Sequence, residues 1–83
     1  MTAQMLALLL FGELILVCAD YCPPCQVQKK NMPAGSRIID ASTPEANALM
    51  GTDRRIPLTV HKKDGKVWKR VGVFNVEEWI KGH

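Results

Sequence analysis

The chain has 83 residues, of which 47 % are hydrophobic and 23 % are charged, and this composition excludes the disordered and fibrous classes of protein. A chain of this length predicts one domain, spanning residues 1–83, with a thin hydrophobic core. Its 11 Lys and Arg residues against 8 Asp and Glu residues give a net charge of +3, which favours solubility without indicating nucleic acid as a partner.

Two elements are predicted in the apolar segment that opens the chain. Residues 3–11 consist mostly of the strong helix formers Ala, Leu, Met and Gln, and Gly12 is placed to end a helix. Residues 13–19 are an apolar run of strand length that stops at Asp20, which is typical of a strand buried on both faces. Neither a signal peptide nor a membrane span is predicted, because no Lys or Arg precedes the run and Glu13 interrupts it.

The segment DYCPPCQ follows this strand and places Cys22 and Cys25 on either side of Pro23 and Pro24. Proline fixes φ near the helical value and lacks an N–H that a first helical turn would leave unpaired, so a helix is predicted over residues 23–31. Three cysteines are too few, and odd in number, for a secreted scaffold held by disulfides. A dithiol in the reducing cytoplasm is therefore favoured.

The middle of the chain predicts a strand and a helix. Residues 36–40 have the composition of a short strand. Thr43 is placed as an N-cap and Pro44 as the first helical residue, so a helix is predicted over residues 44–50 that Gly51 ends.

The last third of the chain predicts a hairpin and a terminal helix. Residues 57–61 and 66–70 flank an Asp-Gly pair, which is a strong indication of an antiparallel hairpin. Asn75 is placed to cap a short helix over residues 76–80, with Glu78 at the third helical position.

This order of elements predicts an α/β fold. Strands that alternate with helices imply a parallel unit with a right-handed crossover, and the late hairpin adds an antiparallel pair. The result is a mixed four-stranded sheet with helices on both faces and an extra helix at the N-terminus. Active groups in such sheets lie where the carboxyl end of a strand meets the start of a helix, and Cys22 has that position.

These motifs resemble the thioredoxin-like superfamily, and most closely a compact thioredoxin, over about residues 5–83. The apolar strand followed by CADYCPPC resembles that family's strand, aromatic residue and Cys-x-x-Cys motif. RRIPLTVHKKDGKVWKRVG resembles its Ile-Pro segment, in which the proline is cis and faces the dithiol, and its hairpin. The resemblance implies a thioredoxin-like fold with no cofactor beyond the dithiol. It also implies a cis bond before Pro57.

The resemblance further implies partners. Clients would be ribonucleotide reductase or other cytosolic disulfide proteins, and electrons would come from a thioredoxin-reductase-type flavoprotein or from glutathione. A monomer is expected, and neither nucleic acid nor a membrane is expected as a partner.

The chain also departs from the thioredoxin pattern. Leu58 stands where thioredoxins usually carry Thr after the proline, and Leu16 aligns near the buried Asp that transfers protons beneath the dithiol. The family's first strand is missing. Glutaredoxins carry a Gly-Gly-Asp type of pattern after the cis-proline for glutathione, and this chain lacks it. A glutaredoxin-type reductase is therefore kept only as an alternative.

The dithiol predicts exchange chemistry, because a thiolate attacks a disulfide and the neighbouring thiol completes the exchange. Cys22, expected to be exposed at the helix tip with a pKa lowered by the helix N-terminus, is predicted to be the nucleophile. Cys25, one turn further and more buried, is predicted to be the resolving thiol. The predicted substrate-binding residues surround this pair: Tyr21, Pro23, Pro24, Ile56 and Pro57.

Other interpretations of the cysteines remain open. A zinc site would have to draw on Cys18, Cys22, Cys25, His61 and His83, which exhaust the plausible ligands. Against it, Cys18 lies inside an apolar run, where cysteine behaves as a small hydrophobic residue, and His61 is expected to be an ordinary, partly exposed strand residue. A non-catalytic interaction module on the same fold is a further alternative.

Overall fold

The computed structural model describes residues 12–83. In chain order these residues form β1 (Glu13–Cys18), α1 (Pro23–Asn31), β2 (Arg37–Asp40), α2 (Pro44–Met50), β3 (Leu58–Lys63), β4 (Lys66–Val71) and α3 (Val76–Ile80). The helix predicted over residues 3–11 lies outside the described residues. The other predicted elements are confirmed to within two residues at each end.

The strands form one mixed sheet in the order β2-β1-β3-β4. β1 is parallel to β2 and antiparallel to β3, and β3 is antiparallel to β4, as predicted. The β3–β4 turn has positive φ at both central residues, 53° at Asp64 and 77° at Gly65, which is the geometry that the Asp-Gly pair predicts.

The side chains of β1, one of the two inner strands, alternate between the faces of the sheet and divide the core into two halves. Ile15 and Val17 point to the sheet face that α2 covers, where they pack in one buried cluster with Leu49. Leu16 and Cys18 point to the opposite face and form a second buried cluster with the two cysteines of the predicted dithiol. Side chains alternate between the faces of a strand, so a strand buried on both sides must be apolar throughout. The prediction of helices on both faces is confirmed.

The two later helices begin at the predicted caps. Thr43 Oγ1 accepts a hydrogen bond from the Ala46 N–H at 3.2 Å, and Asn75 Oδ1 accepts one from the Glu78 N–H at 3.1 Å. Each cap satisfies an amide that the first turn would leave unpaired. None of the helices in residues 12–83 has the length and apolar character needed to cross a membrane.

Aromatic rings and two histidines cluster at the end of β1 that lies away from Cys18. His61 pairs with Leu14 in the sheet and is 2 % exposed, so the expectation that it is partly exposed is wrong. Its Nδ1 lies 2.7 Å from Nδ1 of His83, whose ring stacks on Trp68 at a centroid distance of 4.1 Å. The histidine is buried because the C-terminal residues fold back over β3, which the strand pattern alone does not reveal.

This cluster predicts a loss of stability in mild acid. Burial first, and then the neighbouring His61 and Lys63, lower the pKa of His83 from its ordinary value of 6.5. The folded chain therefore holds His83 neutral, whereas the unfolded chain takes up a proton below about pH 6.5. Its contribution to stability is complete above that pH and is lost as the pH falls toward the lower folded pKa.

Urea unfolding followed by Trp68 and Trp79 fluorescence at about pH 7.5 and about pH 5 would measure this loss. His83→Gln keeps a polar side chain without titration and should show a smaller difference between the two pH values. Equal pH dependence in the two proteins would contradict the prediction.

Candidate active site

The predicted dithiol lies at the junction of β1 and α1. Cys22 is the residue before the helix, and its N–H donates to the Ala19 carbonyl at 3.2 Å. The Cys25 N–H donates to the Cys22 carbonyl at 3.1 Å, and Pro23 and Pro24 between them contribute no N–H. One tight turn thus brings the side chains of the two cysteines together in one buried cluster.

The two thiols differ in exposure less than the sequence suggests. Cys22 is 8 % exposed and Cys25 is 0 % exposed. Cys22 is more exposed than Cys25, as predicted, but the prediction that Cys22 is exposed at the helix tip is wrong. Met32 and Ile56 pack against the cluster that holds both cysteines and help to cover it. Only a small part of Cys22 therefore faces solvent at the helix tip.

The pKa of Cys22 is raised, although the sequence predicted that it would be lowered. The hydrogen bond with the Cys25 side chain raises the pKa most and burial raises it further, whereas the Cys25 N–H lowers it. The helix N-terminus gives little help because Pro23 and Pro24 remove two of its donors. Negative charge on one thiol also disfavours charge on the other.

Cys18 lies on the same side of the sheet as the dithiol. It is 3 % exposed, and its Sγ donates a hydrogen bond to the Cys25 carbonyl at 3.7 Å. Burial, followed by the Cys25 side chain, raises its pKa well above the usual range for a thiol. The buried position agrees with a small core residue, but the contact with Cys25 was not expected. Leu16, which the family resemblance aligns near the buried Asp of thioredoxins, is fully buried in the same cluster.

The possible zinc ligands do not converge. Among residues 12–83, no three His, Cys, Asp or Glu side chains lie close enough to hold a metal ion together. His61 and His83 are in the aromatic cluster, which is separated from Cys18 by the length of β1.

The segment before β3 lies against the dithiol. The Ile56–Pro57 peptide bond is cis, as the resemblance implied. Ile56 packs against the cluster of Cys22 and Cys25, and the Pro57 carbonyl accepts a hydrogen bond from the Gly72 N–H at 2.9 Å. That hydrogen bond joins the residue before β3 to the residue after β4. The substrate-binding role of Ile56 and Pro57 remains a prediction.

An exposed rim surrounds the partly covered Cys22. Tyr21 is 84 % exposed and Val27 is 51 % exposed, and Pro23 and Pro24 are exposed between them. Exposed side chains of this size cost little in a monomer when scattered, but Tyr21, Pro23 and Pro24 are sequence neighbours of Cys22. Their substrate-binding role remains a prediction.

A buried glutamine that the sequence analysis missed fixes the position of α1. Gln28 is 0 % exposed, and its Nε2 donates to Thr59 Oγ1 at 3.2 Å. Its Oε1 accepts from Asn31 Nδ2 and from the Phe74 N–H, both at 3.1 Å. Gln28 follows Cys25 by three residues and therefore shares its helix face. That spacing is the one indication in the sequence that this polar residue is buried.

Comparison with known proteins gives structural likenesses only. No family model matches the chain, and no curated protein matches it. Mitochondrial thioredoxin 3 of Saccharomyces cerevisiae, in its oxidised form, superimposes with a TM-score of 0.63 at 20 % identity, over 90 % of this chain and 84 % of the other. Fasciola hepatica thioredoxin gives 0.60 at 26 % identity, over 87 % of this chain and 82 % of the other.

A third likeness is to a chain in a structure of the thiol-resolving mechanism of yeast mitochondrial 1-Cys peroxiredoxin via the glutathione/thioredoxin systems. Its TM-score is 0.65 at 18 % identity, over 99 % of this chain and 91 % of the other. With the mixed sheet, the cis-proline and the clustered cysteines, the likeness to Fasciola hepatica thioredoxin indicates thiol-disulfide redox chemistry at the family level. The chain has the thioredoxin-like fold and is a relative of the thioredoxin-like superfamily.

Proposed function

We propose that this protein is a thiol-disulfide oxidoreductase that reduces disulfide bonds in other proteins. The observation that supports this most is the position of Cys22 and Cys25, which lie side by side at the start of α1 and against the cis-proline segment. Of the three cysteines, Cys22 is the most exposed at 8 %, against 3 % for Cys18 and 0 % for Cys25.

The reaction proceeds by two exchanges. The Cys22 thiolate attacks one sulfur of the substrate disulfide, a mixed disulfide forms, and the other substrate sulfur leaves as a thiolate that takes up a proton. Cys25 then loses its proton and attacks Cys22 Sγ, which releases the second substrate thiol and leaves a Cys22–Cys25 disulfide. The substrate gains two electrons and the protein loses two.

The raised pKa of Cys22 has a kinetic consequence for the first exchange. At neutral pH a smaller fraction of Cys22 is thiolate, but a thiolate of higher pKa is the stronger nucleophile. The contact with a client then has to uncover the sulfur as well as position the disulfide, because Cys22 is 8 % exposed.

Substrate binding is assigned to the rim around Cys22. An extended client segment would lie across the surface of Tyr21, Pro23 and Pro24 and pair with the main chain beside Ile56 and Pro57. Proline has no N–H to donate and the Pro57 carbonyl already accepts from the Gly72 N–H, so such pairing would use the main-chain groups of Ile56. Main-chain pairing of this kind demands little of the client sequence.

The partners follow from this chemistry as proposals. Clients are cytoplasmic disulfide proteins, with ribonucleotide reductase as one candidate, and the protein acts as a monomer. A thioredoxin-reductase-type flavoprotein or glutathione returns electrons to the Cys22–Cys25 disulfide. No cofactor takes part beyond the dithiol itself.

Reduction of insulin disulfides in the presence of dithiothreitol tests the proposal. The wild-type protein is expected to accelerate the reduction, and the rate is expected to rise with pH above neutrality because the pKa of Cys22 is raised. Cys22→Ser should return the rate to that of dithiothreitol alone, whereas Cys18→Ala removes a thiol that does not reach the surface and controls for thiol number. A wild-type chain that adds nothing to the background rate would indicate a non-catalytic module.

A further inference from the structure

Cys25 contacts both of the other cysteines. Its N–H donates to the Cys22 carbonyl at 3.1 Å, and its own carbonyl accepts a hydrogen bond from Cys18 Sγ at 3.7 Å. The three cysteines share one buried cluster with Leu16, and all three are free thiols in this structure. If Cys25 forms a disulfide with one of the other two cysteines, the thiol of the third remains in the same buried cluster.

Cys18 can react only inside the protein. It is the last residue of β1, it is 3 % exposed, and its Sγ lies 3.7 Å from the Cys25 carbonyl. A client disulfide cannot reach a sulfur covered to this degree. The disulfide sulfur that it can reach is that of Cys25, once Cys25 has been oxidised.

We propose that Cys18 is a third redox-active thiol, which exchanges with the Cys22–Cys25 disulfide to form a Cys18–Cys25 disulfide and release Cys22. This inference rests on the proposed function, because that function supplies the oxidised pair. The protein would then keep its disulfide in the core while Cys22 at the helix tip is free to attack again.

The exchange is balanced without an added oxidant or reductant. The Cys18 thiolate attacks Cys25 Sγ, the new sulfur–sulfur bond forms, and the Cys22–Cys25 bond breaks. Cys22 leaves as a thiolate and takes up a proton equivalent to the one that Cys18 lost. One disulfide is present before and after the step.

The step is slow at neutral pH and accelerates in base. Burial raises the pKa of the Cys18 thiol, so the attacking thiolate is scarce. Below that pKa the thiolate fraction rises about tenfold for each pH unit, and the rate of exchange rises with it. A slow step of this kind would act on protein that stays oxidised, rather than during each turnover.

The position of Tyr21 in the sequence allows a direct assay for the Cys18–Cys25 disulfide. Oxidised wild-type protein is incubated between about pH 7 and about pH 9 without a client, its free thiols are alkylated with iodoacetamide, and the chain is cleaved after Tyr21 with chymotrypsin. Tyr21 lies between Cys18 and the other two cysteines. A Cys22–Cys25 disulfide leaves the Cys18 peptide separate, whereas a Cys18–Cys25 disulfide joins the two peptides and leaves alkylated Cys22.

We expect joined peptides that form about ten times faster for each added pH unit. In Cys22→Ser oxidised with diamide, the same joined peptides are expected, because only Cys18 can pair with Cys25 within the chain. The matched control Cys18→Ala/Cys22→Ser should give none. Near-UV circular dichroism shows whether each variant keeps its packed aromatic cluster.

Separate peptides at every pH in the wild type, together with no joined peptides in Cys22→Ser, would overturn the inference. This result is distinguishable from failure of the proposed function, because the assay contains no client and insulin reduction by the wild type is measured independently. A wild type that reduces insulin but never joins the peptides has an ordinary two-cysteine site.

Discussion

Replacing Cys25 with serine is expected to halt the reaction after its first step and to trap the client on the protein. Cys22 can still attack a disulfide, but no thiol is left beside it to displace the product. Cys18 cannot substitute, since it is 3 % exposed and its hydrogen bond is to the Cys25 carbonyl. Catalysed insulin reduction should fall to the background rate.

The trapped species can be observed on a non-reducing gel and by mass spectrometry. Cys25→Ser incubated with a disulfide-containing protein should form an adduct through Cys22, and dithiothreitol should release it. Cys22→Ser should form no such adduct, because Cys25 is 0 % exposed and cannot reach a client. Equal trapping by the two variants would mean that the roles of nucleophile and resolving thiol are assigned wrongly.

Removing the buried amide of Gln28 is expected to give the largest loss of stability from a single polar change. Gln28→Leu keeps a similar volume, but it leaves the Phe74 N–H and the Thr59 hydroxyl without the partners they have at 3.1 Å and 3.2 Å. Each buried group that loses its partner costs about 1–3 kcal/mol. We therefore expect the free energy of unfolding to fall by about 2–4 kcal/mol.

Urea unfolding would measure this change, with the dependence of the unfolding free energy on urea concentration (the m value) fitted as one value for all variants. Gln26→Leu is the matched control, because it makes the same substitution at an exposed position of α1 and should change stability by less than about 0.5 kcal/mol. Gln28→Leu should also weaken insulin reduction, since α1 carries the dithiol and Gln28 joins it to β3 and to the segment before α3. If the two variants are equally stable, the hydrogen bonds of Gln28 contribute nothing net.

The sequence by itself determined the elements and their arrangement. Prolines, caps and the Asp-Gly turn act within a few residues, so the starts of α1, α2 and α3 and the β3–β4 hairpin were predictable from local chemistry. The apolar run of β1 likewise predicted a strand buried on both faces. The cis bond before Pro57 came from the family resemblance, since local chemistry favours trans.

Only the tertiary structure decided the environment of the thiols. The low exposure of Cys22 depends on Ile56, which reaches the site from a distant part of the chain, and on Met32 just after α1. Its raised pKa depends on the neighbouring thiol of Cys25 and on burial. Burial of His61 and Gln28 likewise results from contacts with His83 and Phe74, 22 and 46 residues further along. Local patterns give the position of a side chain along its own element, whereas exposure and pKa are set by whichever other elements pack on top of it.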